Sequence, residues 1–176
     1  MRHCRWDAIL ILVLSLTPPA LGQSSPKPIQ VALWKPVQIF NEKETIHGVR
    51  VSLIYGVNQS VHGIDWGLVS CLRGNMVGWQ PGIVNLVDGD VRGYQDGAVN
   101  HVKGTVKGWQ NGAVNVNKQA TSGLQTGLVN VGGAMTDLQF GLVNVSETMH
   151  GLQIGLANVI KRGSPVKFLP IINFSF

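Results

Sequence analysis

Four histidines (His47, His62, His101 and His150), the pair Asp88-Gly89-Asp90 and the thiol of Cys71 are the side chains of residues 23–176 best suited to chemistry. Imidazoles move protons or bind transition metals, close carboxylates hold calcium, and a thiolate can attack an electrophile. Their spacing supports none of these. No two histidines stand at a metal-ligand interval and no triad signature is present. His62 and His150 each directly precede one of a series of regularly spaced glycines, so they could share an edge, but five other members of that series lack His there. Asp88-Gly89-Asp90 occurs once, lacks the further oxygen ligands of a calcium loop, and reads as a turn. Cys71 falls where equivalent segments carry Leu86, His101, Val116, Val131, Val145 and Val159, so it reads as a buried apolar filler. The chain is therefore expected to be no enzyme, with no catalytic, cofactor-binding or metal residues and no cofactor.

What would position these residues is a repeat. A glycine, a large apolar residue, usually Gln, a free position, Gly, an aliphatic residue or Ala, usually Val, and usually Asn recur from Gly63, Gly78, Gly93, Gly108, Gly123, Asp137 and Gly151. The step is 15 residues and shortens to 14 for the last two copies. A fixed short period marks a stack or array of like units. Glycine every few residues, abundant β-branched Val and the absence of a 3.6-residue apolar stripe exclude helices.

Variation between copies sorts the positions. The second is always large (Ile64, Trp79, Tyr94, Trp109, Leu124, Leu138, Leu152), and the sixth is aliphatic or Ala (Leu68, Ile83, Ala98, Ala113, Leu128, Leu142, Leu156). Both Ala copies coincide with an aromatic second residue. Such compensation is expected of side chains sharing one packed space, so both positions are assigned to the core, Leu142 among them. A third inward point lies two residues before each copy, at Val61, Met76, Val91, Val106, Thr121, Met135 and Met149. The fourth position ranges from Trp66 through Asp96 to Phe140 and is expected to face solvent. Recurrent Gln and Asn are expected to stack as amide ladders in coils about 4.8 Å apart, rather than to bind a ligand.

The fold class expected is all-β, a repeat β-solenoid of 14–15-residue coils with capping flanks. An up-and-down β-meander or barrel is the alternative, but it would impose a two-repeat alternation that is not seen. Residues 1–22 read as a signal peptide, 23–47 as an N-terminal extended cap, 48–162 as the β-repeat domain and 163–176 as a C-terminal cap. Arg2 and Arg5, the apolar run from Ala8 to Leu16 and the small-residue ending before Gln23 carry the first assignment. Thr17-Pro18-Pro19 stops the run short of a membrane span. Loss of this segment would remove Cys4 and leave Cys71 without an intramolecular partner.

Charged residues make up 13% of the chain against about 25% in a typical domain. The basic ones are scattered, without the dense basic face of a nucleic-acid reader, so no nucleic-acid partner is expected.

The chain resembles an uncharacterised family of exported bacterial surface-repeat proteins, many of which are described as lipoproteins. The resemblance rests on Leu33 to Phe40, Gly48 to Asn58, Gly63 to Val69, the later Gly-Leu-Gln-x-Gly-Leu-x-Asn copies and the closing Phe168 to Phe176. It implies export to the periplasm, the outer-membrane surface or the medium, and a β-repeat protein without known catalytic residues. Where a lipid-acceptor Cys would follow the signal, Gln23 stands instead. Gln110-Asn111-Gly112-Ala113-Val114-Asn115 is also similar to the repeat of curlin amyloid subunits, whose units are longer. The function expected is a structural or partner-binding envelope scaffold with an unknown protein or envelope partner. A small outer-membrane β-barrel is the alternative, and contact with a membrane is not favoured. Alternation of Ile172, Phe174 and Phe176 speaks for the barrel, whereas Asp96 and Asn111 interrupt a lipid-facing surface.

Overall fold

The computed structural model describes residues 27–176; the expected signal peptide lies outside them. The described residues form one ten-stranded sheet system wound as a β-solenoid. Strands β3 (Thr45–Asn58), β4 (Ser60–Leu72), β5 (Met76–Val87), β6 (Val91–Asp96), β7 (Val99–Val102), β8 (Val106–Asn117) and β9 (Thr121–Ile160) make up the coils. Successive coils pair parallel and in register, Gly48 on Gly63, Gly63 on Gly78, Gly78 on Gly93, Gly93 on Gly108 and Gly108 on Gly123. A meander or up-and-down barrel would pair neighbours antiparallel, so the solenoid is the arrangement this sequence adopts.

Both ends are closed. Before the first coil, β1 (Ile29–Trp34) pairs parallel with β3, and the short β2 (Val37–Gln38) folds back antiparallel on β1. After the last coil, β10 (Phe168–Ser175) runs antiparallel along β9, Phe174 opposite Leu152 and Ile172 opposite Ile154. Capping strands of this kind cover the backbone donors and acceptors that a terminal coil would leave open.

Within a coil, the side chains that point inward are those two before the repeat glycine and at the third, eighth and tenth positions. Val61, Met76, Val91 and Val106 meet Leu72, Val87 and Val102 in one apolar cluster. Met135, Met149 and Ile160 form a second. The two are parted where Thr121 and Asn117 occupy the equivalent inward sites, the Asn117 amide donating to the Thr121 hydroxyl. Glutamines and asparagines fill the rest of the interior and are fully buried from Gln80 to Asn158.

The second and sixth positions face outward, which corrects their assignment to the core. Trp79 is 47% exposed and Leu156 70%. The reason is strand alternation: the second and fourth residues share one parity and face one way, so the third, Gln, must take the inside. Burial of that amide is acceptable because its hydrogen bonds are met by the coils above and below. Leu142, at 48% exposure, borders solvent. Leu142→Asp is consequently expected to change unfolding free energy by no more than about 0.5 kcal/mol in urea titration.

Each repeat opens on a backbone conformation of positive φ, from +124° at Gly78 to +149° at Gly151. Asp137 holds the same place in the sixth copy with φ 91°, a conformation costly for a residue with a Cβ. Asp137→Gly is expected to raise stability by about 0.5–1 kcal/mol in the same assay, the relief of strain being partly offset by the greater chain freedom of glycine.

Candidate interaction face

The residues singled out for chemistry do not converge. His47 and His62 are register neighbours with ring centroids 4.8 Å apart. His150 lies at the other end of the stack, packed edge-on to Phe176 at 6.0 Å. His101 faces outward from another row, between Leu86 and Val116. Among the described residues no group of three or more His, Cys, Asp or Glu could hold a metal.

Asp88-Gly89-Asp90 is a turn between coils. Asp88 pairs with Lys103 at 2.7 Å, and Asp90 Oδ1 accepts hydrogen bonds from the Thr105 amide at 2.7 Å and hydroxyl at 2.9 Å. The amide bond from Thr105, followed by the hydroxyl bond, holds the Asp90 carboxyl below its ordinary range. These carboxylates tie one turn to the next. Cys71 is fully buried. It is also disulfide-bonded in the full chain, whereas the expectation of an unpaired thiol concerns the chain after loss of residues 1–22. A cleft of about 320 Å³ at the N-terminal cap is lined by Lys35, Pro36, Gln38, Phe40, Asn41 and Glu42. Glu42 is engaged there by Lys35 at 2.7 Å and Arg73 at 3.1 Å.

The third-position residues form a hydrogen-bonded column through the interior. Gln80 Nε2 donates to Asp65 Oδ2 at 2.7 Å, Gln95 to Gln80, Gln110 to Gln95, and so on to Gln153 on Gln139. An ionised carboxylate only accepts, so Asp65 sets the direction of the whole column. Asp65 is itself gripped by Arg50, whose Nε and Nη2 donate to Oδ1 at 2.6 Å and Oδ2 at 2.7 Å, both side chains being fully buried. The asparagine column runs the opposite way, from Asn85 donating to Asn100 through Asn144 donating to Asn158. Opposed amide dipoles cancel along the axis, which limits the charge accumulated at either end. These polar groups are committed to one another, except that Gln153 Oε1 and Asn85 Oδ1 end the two columns buried and without a hydrogen-bond partner among the described residues.

Exposed chemistry is concentrated on the outer walls. One wall carries the second-position row, with Ile64, Trp79 and Trp109 exposed and the Tyr94 ring tilted 39° against that of Trp109, centroids 4.8 Å apart. Pairing of Ile29 with Val49 and of Phe174 with Leu152 continues this row into both caps. Beside it, Asn111 Nδ2 donates to Asp96 Oδ1 at 2.7 Å, the Thr126 hydroxyl to Asn111 Oδ1 at 2.8 Å, and Trp109 Nε1 to the Thr126 hydroxyl at 2.8 Å. Burial, and after it the negative charge of Asp96, pushes the Tyr94 phenol above its ordinary range. The sixth-position row forms the corner, and Val84, Val99, Val114 and Val129 begin the second wall, where the seventh and ninth positions carry no charged residue. Charges gather at the opposite edge of the coil, in turns containing Arg73, Asp88, Lys103, Lys118, Glu147 and Lys161.

Residue size alone hides this face, because large recurrent side chains read as core. Its signal is present as parity: the second, fourth and sixth positions cannot face outward without the third facing in. Comparison with protein-family models, with curated proteins and with solved structures finds no match.

Proposed function

We propose that the protein is a non-catalytic, exported β-repeat scaffold of the cell envelope or the medium that binds a partner through its apolar outer walls. The observation that carries this reading is a row of large side chains running from one cap to the other, exposed at Ile29, Val49, Ile64, Trp79, Trp109 and Phe174 and half-buried at Tyr94, Leu124, Leu138 and Leu152. Isolated exposed leucines are ordinary, but contiguous apolar surface of this extent marks an interaction site. Polar interior columns fix the shape of the coil, leaving its outward positions to define a flat, rigid surface. Export rests on the pattern of residues 1–22, and Gln23 is the expected first residue of protein recovered outside the cytoplasm, to be checked by N-terminal sequencing.

Binding of an apolar fluorescent dye to the folded protein tests the docking reading. The native protein should bind the dye while its far-ultraviolet circular dichroism stays β-rich. Leu128→Ser/Leu156→Ser should weaken dye binding severalfold with the melting curve unchanged. A folded native protein that binds no dye, or a variant that binds as before, would remove the basis for a docking surface.

A further inference from the structure

Resting on that docking reading, we infer that the occupant of the outer face is a lipid bilayer surface bearing anionic headgroups. The inference comes from the order of chemistry across one wall. At the corner stand aliphatic side chains, Ile83 in the coil of Trp79 and, among the most exposed, Leu128, Leu142 and Leu156 in later coils that have no aromatic second residue, so the order belongs to the wall as a whole and not to any one coil. Next, across the fourth-position row, comes the aromatic row of Trp79, Tyr94 and Trp109. Beyond it, in the residue preceding each repeat glycine, stand Arg92 and Lys107 in adjacent register and both exposed. The charged turns follow.

A bilayer is layered in the same sequence. Aliphatic side chains enter the acyl region, Trp and Tyr settle at the headgroup boundary, and Lys and Arg reach the phosphates. The row holding Arg92 and Lys107 also holds His47, His62 and His150 and contains no acid. Asp90, on the next outward row, and Asp96, on the fourth-position row, are bonded to Thr105 and to Asn111, and the exposed Asp137 stands in the glycine row beside Thr136. The whole chain carries a formal net charge of +5. A second copy meeting this wall through a two-fold axis would offer no acidic row to the basic one, whereas anionic lipid does so along its length. Backbone groups of the coils pair with neighbouring coils, so the wall presents few unsatisfied donors to a low-dielectric layer.

Depth of contact varies along the axis. In the middle of the stack the small Ala98 and Ala113 stand at the corner beside the bonded trio Asp96, Asn111 and Thr126, so contact there stays at headgroup level. Toward the two ends, Trp66 and Leu68 on one side and Phe140 and Leu156 on the other reach farther.

Flotation of the purified protein with phosphatidylcholine vesicles, with and without phosphatidylglycerol, tests the inference. The protein should float with the anionic vesicles, its tryptophan emission shifting to the blue, and bind pure phosphatidylcholine about tenfold or more weakly. Arg92→Glu/Lys107→Glu should lose about tenfold or more in binding to anionic vesicles, and Trp79→Ser/Trp109→Ser should lose both binding and the blue shift. Circular dichroism of both variants should match the native protein. Absence of flotation overturns the lipid assignment. If apolar dye still binds the native protein, the docking reading survives that failure. A concentration-dependent dimer in sedimentation velocity, without flotation, assigns the wall to a second copy and overturns the inference in favour of self-association. Flotation that is unaffected by the charge-reversed and tryptophan variants also overturns it, since binding would then use another surface.

Discussion

Arg50→Gln is expected to destabilise the protein by about 3 kcal/mol or more, measured as a shift of the urea midpoint with unchanged slope. Arg50 and Asp65 are fully buried, and their bidentate contact at 2.6 and 2.7 Å is what makes the Asp65 charge tolerable inside the stack. Without the guanidinium, Asp65 keeps the Gln80 amide and a longer bond from the Ser70 hydroxyl at 3.3 Å, but no opposing charge. A buried charge deprived of its partner is far more damaging than the pair is stabilising. The double variant Arg50→Gln/Asp65→Gln therefore gives the decisive comparison. Gln30 lies beside Arg50 in the register of β1 and β3, so two new glutamines would join Gln30 to Gln80 in one neutral column. The double variant should recover most of the loss. A double variant as unstable as the sum of its single changes would show that the pair is not what couples the first two coils.

The architecture is legible in the sequence because its cause is periodic. A 15-residue step with a glycine at each start dictates in-register coils, and the diverged Gly48 to Asn58 segment takes its place as the first of them. The flanks are legible as caps because Pro36 and Gly163-Ser164-Pro165 interrupt extended apolar segments that do not follow the repeat. Which side of each strand faces inward is not legible from residue size. Size places Leu and Trp in the core while recurrence places Gln in ladders, but both assignments cannot hold for neighbouring residues on one strand. Hydrogen bonding along the axis decides the conflict: amides satisfied by identical amides can be buried, and they displace the larger apolar side chains to the surface. Arg50 escapes notice because it sits in the diverged copy. Its signal is present all the same, as a charge opposite to Asp65 at the same repeat position. The shared row of His62 and His150 is legible in their common place before a repeat glycine, and His47 joins it in the diverged first coil. The face proposed for lipid is the consequence of the inversion, since side chains excluded from the core by the amide columns have only the exterior left.

Gly108→Ala is expected to cost about 3 kcal/mol, and the loss should appear as a lower urea midpoint and faster amide exchange in the coils on both sides. Two terms act together. Gly108 has φ +135°, a region that residues with a Cβ rarely occupy. A Cβ added there would also stand 2.0 Å from the carbonyl oxygen of Gly93 in the preceding coil, an atom fixed by the parallel ladder. The oxygen cannot retreat without opening the spacing between coils, and Gly93 and Gly123 meet the same obstacle from Gly78 and Gly108. The sixth copy shows how far the rule bends, because Asp137 occupies that place at φ 91°, well below the neighbouring glycines. Gly112→Ala separates the two terms. Gly112 has no positive φ, but its added Cβ would lie 2.1 Å from the carbonyl oxygen of Gly97. If close approach dominates, both alanine variants lose comparable stability; if backbone conformation dominates, Gly108→Ala loses clearly more. Two variants as stable as the native protein would mean that the coils do not stack at the spacing described, and the inward placement of the amide columns would fail with it.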